Sequence, residues 1–81
     1  MRHRFTDWAT YQYRESPPAT QRAFDRRLVF LLRDLRHPSL RAKKYDKARD
    51  IWQARITKGW RFYFSIDGNT YIILSITRHP K

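Results

Sequence analysis

Apolar residues in the first half of the chain recur with helical spacing. They form one stripe at intervals of four, three and four residues: Phe24, Leu28, Leu31 and Leu35. This spacing places side chains on one face of an α-helix, and we predict a long helix over residues 17–34. Ser16 is suited to be its N-cap and Pro17 its first residue. A shorter helix, from residue 6 or 7 to residue 15, is predicted to precede it.

In the second half of the chain the hydrophobic period changes to two, which is typical of β-strands. Three consecutive strands are predicted, over residues 51–57, 60–66 and 70–77. Lys58-Gly59 and Asp67-Gly68-Asn69 separate these strands as turns. A less apolar strand is predicted at 41–45, and residues 2–5 are a candidate edge strand. The predicted fold class is therefore α+β, with the helices on one face of an antiparallel sheet.

Alternation along the three strands assigns their side chains to two faces of the sheet. The face predicted to pack on the helices is apolar: Trp52, Ala54, Ile56, Phe62, Phe64, Ile66, Ile72, Leu74 and Ile76. The opposite face, which we call the polar face, is predicted to hold Gln53, Arg55, Thr57, Arg61, Tyr63, Ser65, Tyr71, Ile73, Ser75, Thr77 and His79. Two arginines and a histidine on rigid strands make this face the candidate functional site.

The chain is strongly basic for its size. It has 81 residues, with 18 Lys and Arg against 7 Asp and Glu, and a net charge of +11 at pH 7. We expect a single domain over residues 1–81 and an anionic partner. Nucleic acid is the first candidate, because neutralising its phosphates releases counterions. An acidic protein is second and a membrane surface third, and a basic surface that serves only solubility is the alternative.

Composition excludes several classes of protein. The absence of cysteine excludes disulfide scaffolds, thiolate zinc sites and cysteine nucleophiles, and it fits a reducing cytoplasm. The longest apolar run, Leu28 to Leu32, is far shorter than the ~20 residues of a membrane span. No apolar stretch follows the N-terminus, so no signal peptide is expected.

Arg55 and Arg61 are the leading candidates for chemistry, because they flank the Lys58-Gly59 turn on the polar face. If their strands pair, both guanidinium groups reach one phosphate, which they bind through forked hydrogen bonds. The alternative is that they are solvated strand residues. His79 shares their face by alternation and is suited to proton transfer near neutral pH, although a single histidine near a C-terminus is often inert.

Other residues of the same region are candidates for binding a nucleic acid. Alternation directs one of Lys43 and Lys44 toward the polar face and the other away, and the sequence does not choose between them. Either lysine could bind phosphate or act as a base, and together they could also form a charged edge strand. Arg41 belongs to the same basic run, and Lys58 lies in the turn. Tyr63 lies on the polar face and could stack on a base.

The acidic residues argue against a metal-dependent site. Glu15 is the only glutamate, and none of the seven acids falls on the polar face, with Asp67 at its rim. Two-metal nucleases need clustered carboxylates, and glycosidases need a carboxylate pair. A nuclease built on this sequence is therefore expected to work without a metal or another cofactor.

Four ordered segments resemble the RelE/ParE toxins of bacterial type II toxin–antitoxin systems. They are HPSLRAKK (37–44), IWQARI (51–56), WRFYF (60–64) and ITRH (76–79). In length and order of elements the resemblance spans essentially the whole chain. It implies an α+β fold with two N-terminal helices packed on one face of a curved, mainly antiparallel β-sheet.

The resemblance also implies an activity. RelE-like members cleave mRNA without metal, usually on the ribosome, by attack of the 2′-hydroxyl on the adjacent phosphate to form a 2′,3′-cyclic phosphate. By this resemblance, Arg55 and Arg61 bind phosphate and stabilise the transition state, and His79 is an acid or base. Lys43 and Lys44 correspond to a basic pair on the preceding strand.

The sequence departs from the family's pattern in places. The glutamate base that some members carry near the basic strand has no counterpart here, and Pro80-Lys81 stands where some members have a terminal tyrosine. Arg78 is a weaker match for a nucleic-acid-binding residue, because alternation directs it off the polar face. The identity of the general base therefore stays open.

Three functions are compatible with the sequence. The leading one is a metal-independent endoribonuclease that cleaves mRNA on the ribosome and inhibits translation. The alternatives are a ParE-like inhibitor of DNA gyrase and a basic nucleic-acid-binding module without catalysis. The expected partners are mRNA, the ribosome and an acidic cognate antitoxin that neutralises the toxin, and the expected location is the cytoplasm, with no membrane partner.

Overall fold

The structure, a computed structural model, describes residues 1–79 of the chain. The elements follow in the order β1 (Arg2–Phe5), α1 (Asp7–Glu15), α2 (Pro18–Arg33), a short 3-10 turn (Pro38–Leu40), β2 (Lys43–Asp46), β3 (Ile51–Thr57), β4 (Trp60–Asp67) and β5 (Thr70–Arg78). The five strands form one sheet in the order β1-β5-β4-β3-β2. β1 runs parallel to β5, and the other pairs are antiparallel. The predicted α+β fold is confirmed.

The junction between the two helices differs from the sequence prediction by one residue. Ser16 is not the N-cap of α2 but the C-cap of α1, where its Oγ donates to the Gln12 carbonyl at 2.7 Å. α2 begins at Pro18, with Pro17 in the N-cap position. A residue that precedes proline is disfavoured in the helical region. Because two prolines follow Ser16, both it and Pro17 are extended, and the helix begins later.

β2 also begins later than predicted. Arg41, the predicted start of the strand, has φ 47° and ψ 42° and ends the 3-10 turn. This left-handed conformation is incompatible with an extended strand. Pairing with β3 therefore starts at Lys43, which lies opposite Gln53.

The core lies between the helices and one face of the sheet. Phe24 and Leu31 of the predicted α2 stripe are fully buried, and Leu28 and Leu35 pack beside them. The Phe24 ring meets that of Phe62 edge to face, with centroids 5.1 Å apart. Such contacts bury apolar surface and position β4 beneath α2. None of the helices in residues 1–79 is long and apolar enough to cross a membrane.

The assignment of β5 side chains to faces is wrong over its first half. Tyr71 and Ile73 were expected on the polar face but are buried in the core, whereas Ile72 and Leu74 are only half-buried. The cause is a register shift, because Phe64 pairs with Ile73 while Tyr63 pairs with Ser75. One extra residue in β5 reverses the face of every side chain on one side of it. Beyond this bulge the prediction holds, with Ile76 buried opposite Phe62.

Side chains of α1 and of its N-cap residue bind the backbone of β5 where β1 no longer covers it. The last pair of β1 and β5 is Phe5 with Ile73. Past that point the Thr6 hydroxyl donates to the Leu74 carbonyl at 3.2 Å, and Gln12 Oε1 accepts from the Ile76 N–H at 2.8 Å. Thr6 also caps α1, since its Oγ1 accepts from the Ala9 N–H. These bonds fix α1 against the bulged segment.

We expect Gln12→Ala to lower the free energy of unfolding by about 1–3 kcal/mol, because it leaves the N–H of the buried residue Ile76 without its acceptor. Gln12→Glu retains an acceptor oxygen and should lose much less. Urea unfolding followed by tryptophan fluorescence measures both. Equal losses in the two variants would show that the bond to Ile76 does not stabilise the fold.

Candidate active site

A small basic cavity, which we call the central cavity, lies on the polar face of the sheet. Its volume is about 240 Å³, and it is lined by Arg41, Lys43, Gln53, Arg55, Arg61 and His79. These lining residues include four cationic side chains and no carboxylate. A concave site with this charge is suited to bind a phosphate group.

Arg55 and Arg61 lie directly opposite each other on β3 and β4. The Arg61 guanidinium is anchored to the turn between these strands, because Nη1 donates to the carbonyl oxygens of Thr57 at 2.7 Å and Trp60 at 2.9 Å. Within residues 1–79, all hydrogen bonds that this guanidinium donates come from Nη1. The remaining donors of its fork are available to an anion.

The pKa of Arg61 is lowered from its ordinary value, first by burial and then by the nearby charge of Arg55. Arg41 lowers it further, and Tyr63 opposes the shift. Both main causes disfavour the protonated guanidinium when no anion is bound. Because a guanidinium remains charged at neutral pH in spite of such a shift, the crowded cations favour a bound anion.

His79 is held beside the turn at the end of β5. Its backbone N–H donates to the Gly59 carbonyl at 2.8 Å, and its exposed side chain lines the central cavity. The structure thus brings the histidine to the two arginines across three strands. Pro80 and Lys81 lie outside the described residues.

The structure separates the two lysines that the sequence left equivalent. Lys43 lines the central cavity. Lys44 lies opposite Trp52, with its Nζ 5.1 Å from the centre of the indole ring, and forms a salt bridge with Asp50. Lys44 is therefore outside the cavity, and its charge is compensated.

Of the other predicted binding residues, Arg41 lines the central cavity. The remaining three, Arg78, Lys58 and Tyr63, lie around it. Arg78 stacks on the Trp60 ring, 5.4 Å from its centre, and is not among the lining residues. Lys58 lines a neighbouring cavity that also contains Arg41 and Arg55. Tyr63 lies on the polar face, where its hydroxyl accepts from Gln53 Nε2 at 3.0 Å.

Two residues at the site were not singled out from the sequence. Alternation placed Gln53 on the polar face with Arg55, but Gln53 was not named as a candidate. Tyr45 is 62% exposed and meets the Tyr63 ring edge to face, with centroids 4.8 Å apart. Only the pairing of β2 with the sheet brings these two tyrosines together, so no sequence signal indicated Tyr45.

Potential metal ligands are dispersed in the part of the chain that the structure describes. No group of three or more His, Asp or Glu side chains in residues 1–79 could hold a metal ion.

Comparison with solved structures identifies the fold. A YoeB/ParE toxin from Agrobacterium tumefaciens superposes with a TM-score of 0.83 at 14% identity, covering 99% of this chain and 100% of the toxin. The YoeB dimer from Staphylococcus aureus gives a TM-score of 0.81 at 16% identity, with 99% and 98% of the chains covered. The intact E. coli RelBE toxin–antitoxin complex gives 0.77 at 13% identity, with 99% and 98% covered. The chain has the RelE/ParE toxin fold.

The RelE/ParE fold is thus reached here by a sequence far from those of its structural neighbours. No protein-family model matches the sequence, and a search of curated proteins finds no significant match. The structural likeness confirms the fold that the four segments implied. The residues of this chain that are candidates for catalysis are those that line the central cavity.

Proposed function

We propose that this protein is the toxin of a toxin–antitoxin pair and a metal-independent endoribonuclease that cleaves mRNA on the ribosome. The observation that carries this proposal is the central cavity of about 240 Å³, which is lined together by Arg55, Arg61, Lys43 and His79. Cleavage by an internal 2′-hydroxyl requires cations that stabilise charge on the phosphate and two groups that transfer protons. We assign the first role to Arg55 and Arg61 and the second to His79 and Lys43.

In the proposed reaction the 2′-oxygen attacks the adjacent phosphorus, and the bond from phosphorus to the 5′-oxygen breaks. Arg55 and Arg61 bind the non-bridging oxygens, whose negative charge grows in the transition state. His79 protonates the departing 5′-oxygen, and the neutral form of Lys43 accepts the 2′-hydroxyl proton. The products are a 2′,3′-cyclic phosphate and a 5′-hydroxyl. We assign the base to Lys43 rather than Lys44 because only Lys43 lines the cavity.

We further propose that an acidic antitoxin covers the central cavity. The net charge of +11 favours an acidic partner, and structural neighbours include a YoeB–YefM toxin–antitoxin complex from Staphylococcus aureus. A carboxylate in the cavity would compete with the RNA phosphate for Arg55 and Arg61. Translating ribosomes are cytoplasmic, so we propose the same compartment for this protein.

The proposed activity is tested by adding purified protein to ribosomes programmed with a defined mRNA. Primer extension maps the cuts, and mass spectrometry identifies the new ends. We expect 2′,3′-cyclic phosphate and 5′-hydroxyl ends. Ends with a 5′-phosphate and a 3′-hydroxyl would contradict the mechanism. Intact mRNA together with stalled gyrase–DNA complexes would replace it with the gyrase-inhibitor alternative.

Tyr45 is expected to stack on a base next to the bound phosphate, because its ring is exposed while Tyr63 is tethered to Gln53. Tyr45→Ala should weaken binding of a short single-stranded RNA roughly 5- to 150-fold, since stacking of one base contributes about 1–3 kcal/mol. Tyr45→Phe keeps the ring and should bind normally. Fluorescence anisotropy with a 2′-O-methyl RNA measures all three proteins, and an equal loss in the phenylalanine variant would exclude stacking as the cause.

A further inference from the structure

A second basic cavity adjoins the central one. It has a volume of about 480 Å³ and lies where α2, the 3-10 turn and the β3–β4 turn meet. Its cationic lining residues are Arg27, Arg41, Arg55 and Lys58, and the hydroxyl residues Ser39 and Thr57 lie beside them. As in the central cavity, no carboxylate is among its described lining residues. Four cations around one cavity favour an anionic occupant.

Arg27 gives a second, independent indication of a ligand. Its Nε is buried and has no hydrogen-bond partner within residues 1–79. Buried polar groups in folded proteins nearly always have a partner, and leaving a charged donor unpaired is costly. An anion bound to the rest of this guanidinium would offset the cost of burying the unpaired Nε.

The backbone of Arg41 supports a functional role for this region. Arg41 is held in the left-handed conformation, with φ 47°, which is uncommon for a residue with a side chain. Residues kept in sparsely populated conformations cluster at ligand sites. Here the conformation accompanies a side chain that lines both cavities.

The two cavities are adjacent, because Arg41 and Arg55 line both of them. An anion in the second cavity is therefore a direct neighbour of the phosphate that undergoes cleavage. Successive phosphates of one nucleic-acid strand have this relationship. The Thr57 hydroxyl, which accepts from the Gly59 N–H, adds a neutral donor of the kind that commonly binds phosphate oxygens.

We propose that the second cavity binds the phosphate next to the scissile one in the same RNA strand, and that Arg27 and Lys58 are its specific ligands. The identity of the RNA rests on the proposed function, whereas binding of the second phosphate does not require cleavage. The site sets the register of the strand, because a phosphate held by Arg27 and Lys58 fixes which linkage lies against Arg61. Arg27 and Lys58 line the second cavity only, so their loss should leave the first phosphate bound.

The test uses two uncleavable 2′-deoxy probes, a dinucleotide with one phosphate and a trinucleotide with two. Two further trinucleotides each carry one neutral methylphosphonate in place of a phosphate. Isothermal titration calorimetry measures their binding to the wild type, Arg27→Gln and Lys58→Gln. Arg26→Gln is the matched control, since Arg26 is the exposed neighbour of Arg27 on α2 and lines neither cavity.

We expect the wild-type protein to bind the two-phosphate probe roughly 10- to 100-fold more tightly than the one-phosphate probe. Arg27→Gln should remove most of this preference and leave binding of the one-phosphate probe unchanged, and Lys58→Gln should remove part of it. One of the two methylphosphonate trinucleotides should bind the wild type as weakly as the unmodified trinucleotide binds Arg27→Gln. In Arg27→Gln, the slope of log K for the trinucleotide against log salt concentration should become shallower by about 0.7. Arg26→Gln should match the wild type in every measurement.

Several results would overturn the proposal. One is a wild-type protein that does not distinguish the probes, and another is an Arg27→Gln variant that binds both more weakly by the same factor. If Arg27→Gln changes the affinity for neither probe but weakens binding of a glutamate-rich peptide, the occupant is an acidic protein instead. Should Arg27→Gln fail to fold, the Lys58→Gln exchange at the exposed turn decides the question. If the wild type prefers the two-phosphate probe but cleaves no mRNA, the second phosphate site stands and the ribonuclease proposal fails. If it cleaves mRNA but does not distinguish the two probes, the ribonuclease proposal stands and the second phosphate site fails.

Discussion

Replacing Arg61 with alanine is expected to slow mRNA cleavage by about 10³-fold. A guanidinium that stabilises charge on a transferring phosphoryl group typically contributes 10³-fold or more, and one donor aimed at a developing oxyanion roughly 10²–10³-fold. Arg61 fits this role because its Nη1 is fixed by the carbonyl oxygens of the turn. The group is therefore oriented before the substrate binds. Burial and the nearby charge of Arg55 lower the pKa of Arg61. A bound phosphate would therefore balance a positive charge that its surroundings disfavour.

Single-turnover cleavage on programmed ribosomes measures the effect of Arg61→Ala, and thermal unfolding shows whether the variant is folded. Arg61→Lys keeps one charge but loses the fork, so its rate should fall between those of the wild type and the alanine variant. Arg22→Gln removes the same charge at an exposed position on α2 that lines neither cavity, and this variant should cleave normally. If Arg22→Gln were as slow as Arg61→Ala, the loss would reflect net charge rather than a site.

Replacing His79 with alanine is expected to slow cleavage by about 10²–10⁴-fold, the range for loss of a general acid. Its backbone N–H is bound to the Gly59 carbonyl, and its side chain lines the cavity, so the loss should arise without a change in fold. The pairing of β4 with β5 keeps the end of the strand in place in the variant.

The leaving group distinguishes an acid from a residue that only binds. A substrate with sulfur in place of the 5′-oxygen leaves as a thiolate, which needs no proton. With this substrate His79→Ala should approach the wild-type rate, while Arg61→Ala should remain slow. A defect in His79→Ala that is the same for oxygen and sulfur would show that His79 does not protonate the leaving group.

Local sequence rules predicted most of the helices and strands, because these elements follow the helical spacing of apolar residues or the alternation of a strand. The α2 stripe of Phe24 and Leu31 was correct, and so was the alternation of β3 and β4. Alternation failed in β5, because the extra residue at Leu74 follows from the pairing of Tyr63 with Ser75. Nothing in the local pattern of β5 specifies that pairing.

The candidate site was predictable to the extent that it follows from strand alternation. Arg55 and Arg61 share a face because each has the right parity on an adjacent strand, and His79 keeps that parity beyond the bulge. The choice of Lys43 over Lys44 depends on the register of β2, which the sequence did not give. Arg27 was beyond prediction because it comes from a helix, and only the tertiary structure brings it to Lys58.

The central claim is that the cavity around Arg61 cleaves RNA through the 2′-hydroxyl of the substrate. The most direct test replaces that one hydroxyl with hydrogen at a mapped cleavage position in an otherwise unchanged mRNA on the ribosome. We predict that cleavage at this position disappears, while cleavage at the other mapped positions and occupancy of the ribosome stay the same. Continued cleavage at the 2′-deoxy position would contradict the account, because the attacking oxygen would then have to come from elsewhere.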